Sequence, residues 1–212
     1  MKKREKYVLS LVLLMATVLT FMVYLFDIPI IKFIGSLRTN NLDYFFISVT
    51  FASNIFIIFF FLTTLFLWKE HKRRWIFPLW LAGLLSVLTS YLVKVLVHRQ
   101  RPFETKLVSV LSIAFNFMKD NFNTWNFSFP SFQAMLVFSV LPLLNKEFRK
   151  FKYIWFVFAC LVAFSRVYFG VHFLSDIMAG AIVGYLIGLV TIKIEEKHKF
   201  GKRIIRKLKI SL

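Results

Sequence analysis

Six polar side chains in this chain are of types that do chemistry on phosphate: Lys94, Arg101, Ser131, Arg166, His172 and Asp176. Each lies at or near the end of a long apolar run, where ionisable groups are costly and therefore mark function. His172 and Asp176 are four residues apart. On a helix that spacing gives them one face, so the carboxylate can hold one imidazole nitrogen while the other attacks. Lys94, Arg101 and Arg166 supply cations and N–H donors matched to phosphate oxygens, and a helix start at Ser131 adds a hydroxyl and backbone donors. Three cations could replace a metal, so the reading calls for no metal and no cofactor. Taken singly, the residues have plainer roles: a snorkelling lysine, an interfacial arginine, an N-cap serine, a buried His–Asp pair. Arg166 is the hardest to read plainly, because it sits inside an apolar run with no acidic residue nearby in sequence and needs an anion from elsewhere.

The elements that must position these residues follow from composition. Of 212 residues, 58% are hydrophobic and 19% aromatic, with a mean hydropathy of +0.69, which excludes an ordinary soluble domain. Apolar runs long enough to span a bilayer as helices begin near Tyr7–Phe26, Tyr44–Trp68, Trp75–His98, Phe129–Leu144, Tyr153–Phe169 and His172–Ile192. The expected fold is all-α, a polytopic membrane protein with six transmembrane helices forming one domain over residues 1–192, followed by a basic tail over 193–212. The first run has a basic leader but no small-residue cleavage site, and reads as a retained helix. Cys160, the single cysteine, excludes an intrachain disulfide and reads as a small core residue.

The net charge of +18 is spread over clusters at 2–6, 69–74, 146–152 and the tail, while 27–43 has Lys32 and Arg38 offset by Asp27 and Asp43. Alternation of basic and neutral loops predicts both termini cytoplasmic in a multi-pass cell-membrane protein. It also brings Lys94, Arg101, Ser131, Arg166, His172 and Asp176 to the extracytoplasmic ends of their helices. The loop after His98 is the exception, because it carries Arg99, Arg101, Lys106 and Lys119 on the outer side, and its aromatic end around Trp125 suits a membrane interface; Phe103 and Phe122 are candidates to guide lipid entry or to anchor the loop there. In the tail, Phe200, Ile204, Ile205, Leu208 and Ile210 alternate with lysine and arginine, as in a helix lying on anionic inner-leaflet lipids; a solvated basic tail is the other reading. No nucleic-acid role is expected, since the membrane separates the basic clusters.

At these residues the chain resembles the type 2 phosphatidic acid phosphatase (PAP2) family of membrane lipid phosphatases, whose helical core is shared with vanadium haloperoxidases. The motif K-x6-R-P is present as KVLVHRQRP from Lys94 to Pro102, and S-R-x5-H-x3-D as SRVYFGVHFLSD from Ser165 to Asp176. The resemblance implies that His172 is a nucleophile forming a phosphohistidine, that Asp176 orients it, and that Lys94, Arg101, Arg166 and Ser131 bind the phosphoryl oxygens. It implies a membrane lipid phosphate as substrate: phosphatidic acid, phosphatidylglycerol phosphate, or a polyprenyl pyrophosphate such as undecaprenyl pyrophosphate of cell-wall synthesis. The middle motif departs from the family's P-S-G-H, reading Pro130-Ser131-Phe132-Gln133. Phe132 can still offer a backbone donor to phosphate. Gln133 stands at the position of the general-acid histidine, and a carboxamide gives up no proton near neutral pH. Three readings stand side by side: an engineered replacement, a slow natural enzyme, or a silent lipid-phosphate binder. The motifs also permit phosphoryl transfer to a second lipid instead of water.

Overall fold

Glycines on one face of a long helix determine how this chain packs. The structure is a computed structural model describing residues 3–105, 107 and 127–207. Lys106, Lys119, Phe122 and Trp125 of the outer loop, and Leu208 and Ile210 of the tail, lie outside the described residues. In chain order the helices are α1 (Lys3–Leu25), α2 (Asp27–Ser36), α3 (Asn40–Ala52), α4 (Ile55–Leu67), α5 (Ile76–Val97, entered through a 3-10 turn at Glu70–Trp75), α6 (Phe132–Glu147), α7 (Lys152–Tyr168), α8 (Leu174–His198) and α9 (Phe200–Lys207). The described residues contain no strand. The expected all-α class holds.

Two of the expected spans are bent. α1 and α2 meet at 72°, and α3 and α4 at 58°. The segment 27–43, expected as a loop, therefore contains a helix of its own, with Asp27 and Pro29 in its first turn, where neither needs a hydrogen-bonded N–H. The second break is written in local chemistry: Asn54 accepts from the N–H of Phe56 at 2.9 Å, ending one helix and capping the next.

Three described helical segments, Glu70–Val97, Arg149–Tyr168 and Leu174–His198, are long and apolar enough to cross a membrane, and five spans result if each bent pair counts as one. The remaining expected span is α6, whose 16 residues reach about 24 Å at helical rise, short of ~30 Å of hydrocarbon. It is the inner helix of the bundle, with Ala134–Val137 and Ser139–Leu144 buried. Its neighbours turn bare apolar surface outward, as at Phe60 on α4 and Leu96 on α5.

α6 lies directly on α8. A Cβ added to Gly180 would come 2.5 Å from the carbonyl oxygen of Ser131, and one on Gly184 or Gly188 would collide with the carbonyl oxygens of Met135 and Ser139. Small residues every fourth position allow this backbone approach. At the other end of the bundle three basic segments meet. Lys72 donates to the carbonyl of Glu147 at 2.6 Å, Lys146 pairs with Glu196, and Glu195 accepts from the N–H of Gly201 at 2.7 Å to turn α8 into α9. This end is opposite to the one that carries Lys94, Ser131, Arg166 and His172, since α5 and α7 end there and α6 and α8 begin there.

Gly184→Ala separates packing from propensity. Alanine gains up to about 1 kcal/mol in a helix, yet here it meets backbone that cannot yield. The detergent-solubilised variant should unfold at a lower temperature than wild type, by an overpacking cost of about 1–3 kcal/mol. Gly83→Ala should lower the midpoint less, because it meets the ring tip of Phe59 and no backbone.

Candidate active site

Two chain reversals, after α5 and after α7, assemble the site. α5 ends on Lys94-Val95-Leu96-Val97, and His98 takes the left-handed conformation (φ 50°) while its N–H bonds to the carbonyl of Lys94 at 3.1 Å. That reversal sends Arg99 and Arg101 back over the bundle end, where the carbonyl of Arg99 accepts from the N–H of Ser128 at 2.7 Å. Lys94 is buried, and its ammonium donates to the carbonyl of Phe127. After α7, Gly170 (φ 70°) makes a tight turn in which the N–H groups of Val171 and His172 both bond to the carbonyl of Arg166, at 3.0 and 3.2 Å. Arg101 donates to the carbonyl of Val171 at 3.4 Å, and Ser131 uses its N–H on the carbonyl of Asp176 at 3.0 Å.

Asp176 occupies the third position of α8 and is fully buried. Its Oδ2 accepts from the N–H of Phe173 at 2.9 Å and from the hydroxyl of Ser128, and lies 3.7 Å from His172 Nδ1. The last separation is longer than a hydrogen bond. His172 itself precedes the helix. The expectation that it opens a span and shares a helical face with Asp176 is therefore corrected: α8 begins at Leu174, because the Asp176 carboxylate caps the N–H of Phe173 and ends the turn there. The pair still meets, through a loop. Burial pushes the imidazole down, Asp176 opposes this, and Arg101 and Lys94 push it down further, to about 3. The ring is thus neutral at physiological pH, the state a nitrogen nucleophile needs.

Three buried polar atoms in this cluster have no hydrogen-bond partner among the described residues: Ser131 Oγ, Arg166 Nε and His172 Nδ1. Ser131 occupies the N-cap position of α6 by backbone, but its hydroxyl does not cap the helix. Arg166 spends Nη2 on the hydroxyl of Ser53 at 2.7 Å. An unsatisfied buried polar group costs about 1–3 kcal/mol, so an arrangement that leaves a hydroxyl and a guanidinium N–H together is suited to an oxyanion ligand. Phe132 and Gln133 lie half-buried in the first turn of α6, beside Ser131. Among the described residues, no hydrogen bond that ties the cluster together involves Gln133.

Sequence reasoning misses Arg99, Asp27, Ser128 and Ser53 as parts of this site. Arg99 and Asp27 are visible there only as surplus charge near helix ends. Ser53 has a signal in the Ser-Asn pair that breaks the second apolar run, and Ser128 has none.

Comparison with known proteins bears on the family and the fold. The PAP2 superfamily model matches residues 75–200. Over 62 residues the chain is 40% identical to the bacitracin transport permease protein BcrC of Bacillus licheniformis, a stretch covering 29% of this chain and 30% of that protein. Over 85 residues it is 38% identical to phosphatidylglycerophosphatase B of Bacillus subtilis (strain 168), covering 35% of this chain and 42% of the relative. The matched stretches thus span less than half of either curated relative. Among solved structures, the PAP2-type phosphatidylglycerolphosphate phosphatase of Bacillus subtilis superposes with a TM-score of 0.68 at 20% identity, covering 89% of this chain and 98% of that one. Aquifex aeolicus LpxE superposes with a TM-score of 0.60 at 26% identity, covering 78% and 93%.

The neutral buried imidazole has a measurable signature. Between its ordinary value of 6.5 and about 3, the unfolded chain binds a proton at His172 that the folded chain does not. Stability should therefore fall as pH is lowered through that window. The thermal midpoint of phosphate-free protein should drop more steeply from pH 6.5 downward than that of His172→Gln, which has no such proton to bind; parallel curves would contradict a buried neutral histidine.

Proposed function

The chain belongs to the PAP2 superfamily, and from that premise we propose that it is a membrane lipid phosphatase acting on a lipid phosphate or pyrophosphate at the extracytoplasmic face, with both termini cytoplasmic. The observation that carries the reading is the pair of buried polar atoms, Ser131 Oγ and Arg166 Nε, that have no partner among the described residues, together with the buried His172.

In the proposed reaction His172 Nε2 attacks phosphorus, the bond from phosphorus to the lipid-side oxygen breaks, and a phosphohistidine forms. Water then attacks the phosphohistidine, releasing inorganic phosphate and regenerating the imidazole. Asp176 steadies Nδ1–H as positive charge develops on the ring. Lys94, Arg101, Arg166 and Ser131, with the backbone N–H at Phe132, hold the non-bridging oxygens. Gln133 can hydrogen-bond the leaving oxygen but gives it no proton. A monoester must then depart as an alkoxide, whereas a pyrophosphate departs as a stable phosphate anion. Gln133 therefore favours a polyprenyl pyrophosphate over phosphatidic acid or phosphatidylglycerol phosphate. The relative named phosphatidylglycerophosphatase B supports lipid phosphate as the substrate class. The amphipathic α9 exposes Ile204 among lysines and arginines and fits the anionic inner leaflet, while Ile205 is buried in the fold. Gln133 also favours a second reading, a binder that holds lipid phosphate without cleaving it.

Phosphate release by detergent-purified protein, without added metal, decides between them. Polyprenyl pyrophosphate should be cleaved faster than phosphatidic acid, and His172→Ala should abolish release. Gln133→His should raise turnover on the monoester by about 10²-fold or more, the scale of a restored general acid. Absence of release from wild type and from Gln133→His, with polyprenyl pyrophosphate still bound by both, would establish the binder.

A further inference from the structure

Arg99 lies between two buried carboxylates. Its Nη1 donates to Asp176 Oδ1 at 2.6 Å and to the Ser175 hydroxyl at 2.8 Å, while Nη2 donates to Asp27 Oδ2 at 2.7 Å. The guanidinium also stacks on the rings of Phe173 and Tyr24, at 4.1 and 4.7 Å from their centroids. Asp27 is itself held on the other side, because its Oδ1 accepts from the N–H of Ser175 at 3.1 Å and its Oδ2 from the Ser175 hydroxyl. The α1–α2 bend, the α5 reversal and the first turn of α8 are thereby joined at one point.

This arrangement differs in kind from that of Arg166, which keeps an unpartnered Nε. Arg99 is matched by carboxylates, so it is poorly suited to bind a phosphoryl group. What it does instead follows from the two oxygens of Asp176. Oδ1 is held by Arg99 and Oδ2 by the N–H of Phe173 and the Ser128 hydroxyl, so the carboxylate is fixed at both oxygens with Oδ2 facing His172 Nδ1, and Arg99 is the charged one of these ties. A lysine could reach one carboxylate but has no planar fork to bridge both.

We infer that Arg99, anchored on Asp27, is a positioning residue for the reaction: it locks Asp176 so that the carboxylate selects the His172 tautomer with its proton on Nδ1 and leaves Nε2 to attack. The inference rests on the reading of His172 as the nucleophile. Asp27 takes part although it belongs to α2 and touches neither histidine nor substrate, so the N-terminal helix pair contributes to the chemistry through this bridge.

The experiment combines kinetics and histidine 15N NMR on the full-length protein in detergent, with Arg99→Lys, Asp27→Asn and Asp176→Asn variants, and with His172→Ala to assign the His172 signals. Arg99→Lys and Asp27→Asn should lower kcat by about 10–100-fold, the range seen when the groups that orient a reactive side chain are removed, while KM stays within about threefold. Their His172 signals should move from an Nδ1-protonated pattern toward a mixture of tautomers. In the Asp176→Asn background, Asp27→Asn should cost less than about threefold more, since its effect is routed through the missing carboxylate. A full additional loss in that background, or activity loss accompanied by an unchanged His172 tautomer, would overturn the inference and leave Arg99 as a structural tie. If wild type shows no histidine-dependent release, the phosphatase reading fails separately, and the tautomer in Arg99→Lys and Asp27→Asn still decides: a shift upholds the positioning role, and no shift removes it.

Discussion

The contact on which the rest depends is the bare backbone seam between α6 and α8. Gly180, Gly184 and Gly188 let the two helices approach until carbonyl oxygens of α6 fill the space that side chains would occupy. Both helices start at the same end of the bundle, so the seam brings the N–H of Ser131 onto the carbonyl of Asp176. The hydroxyl at one helix start and the carboxylate in the first turn of the other are therefore neighbours by construction. Helix starts also concentrate N–H groups and positive dipole ends, which is where an oxyanion is best held. A looser pair, with leucine in place of any of these glycines, would separate the two starts and the site with them.

Burial of charge here follows a consistent division. Asp27 and Asp176 are matched to Arg99 in one compact group, whereas Lys94 is held by a carbonyl and Arg166 by a hydroxyl. Neutral partners orient a cation without cancelling its charge. Lys94 and Arg166 thus keep their charge where Ser131 and His172 lie, while Arg99 offsets part of the charge of the two carboxylates. In a low-dielectric interior this separation matters, because an unmatched carboxylate facing the same space would repel the ligand that the cations attract.

Much of this is legible in the amino-acid sequence. The spacing from Lys94 to Arg101 and from Arg166 to Asp176, with loop charges that fix helix direction, is enough to bring Lys94, Ser131, Arg166 and His172 to one end. Spacing reads well there because those residues sit at ends of long apolar helices, whose direction is set by their flanks. It fails where helices break. His172 and Asp176 have the spacing of one helical face, yet a carboxylate in the first turn of α8 caps Phe173 and leaves His172 in the turn before it. Segment 27–43 reads as a connection because apolar length, not periodicity, sets its boundary, and α2 is hidden in it. Arg99 and Asp27 are unreadable as a pair, since they stand 72 residues apart and meet only through tertiary folding. The span count has the same origin: α6 owes its place to the helices around it, so its own length is a poor guide to its position.

The break between α1 and α2 has a consequence for how the protein is made. Asp27 leaves the ribosome first, Arg99 72 residues later and Ser175 148 residues later. During biosynthesis that carboxylate has no counterion, and apolar surroundings are costly to it. It stands at the bend between α1 and α2, in the first turn of α2, where a helix start favours a carboxylate. The start of α8 then closes the bridge, so a chain arrested before α8 would carry Lys94, Arg101 and Arg166 without the Asp176 carboxylate beside His172.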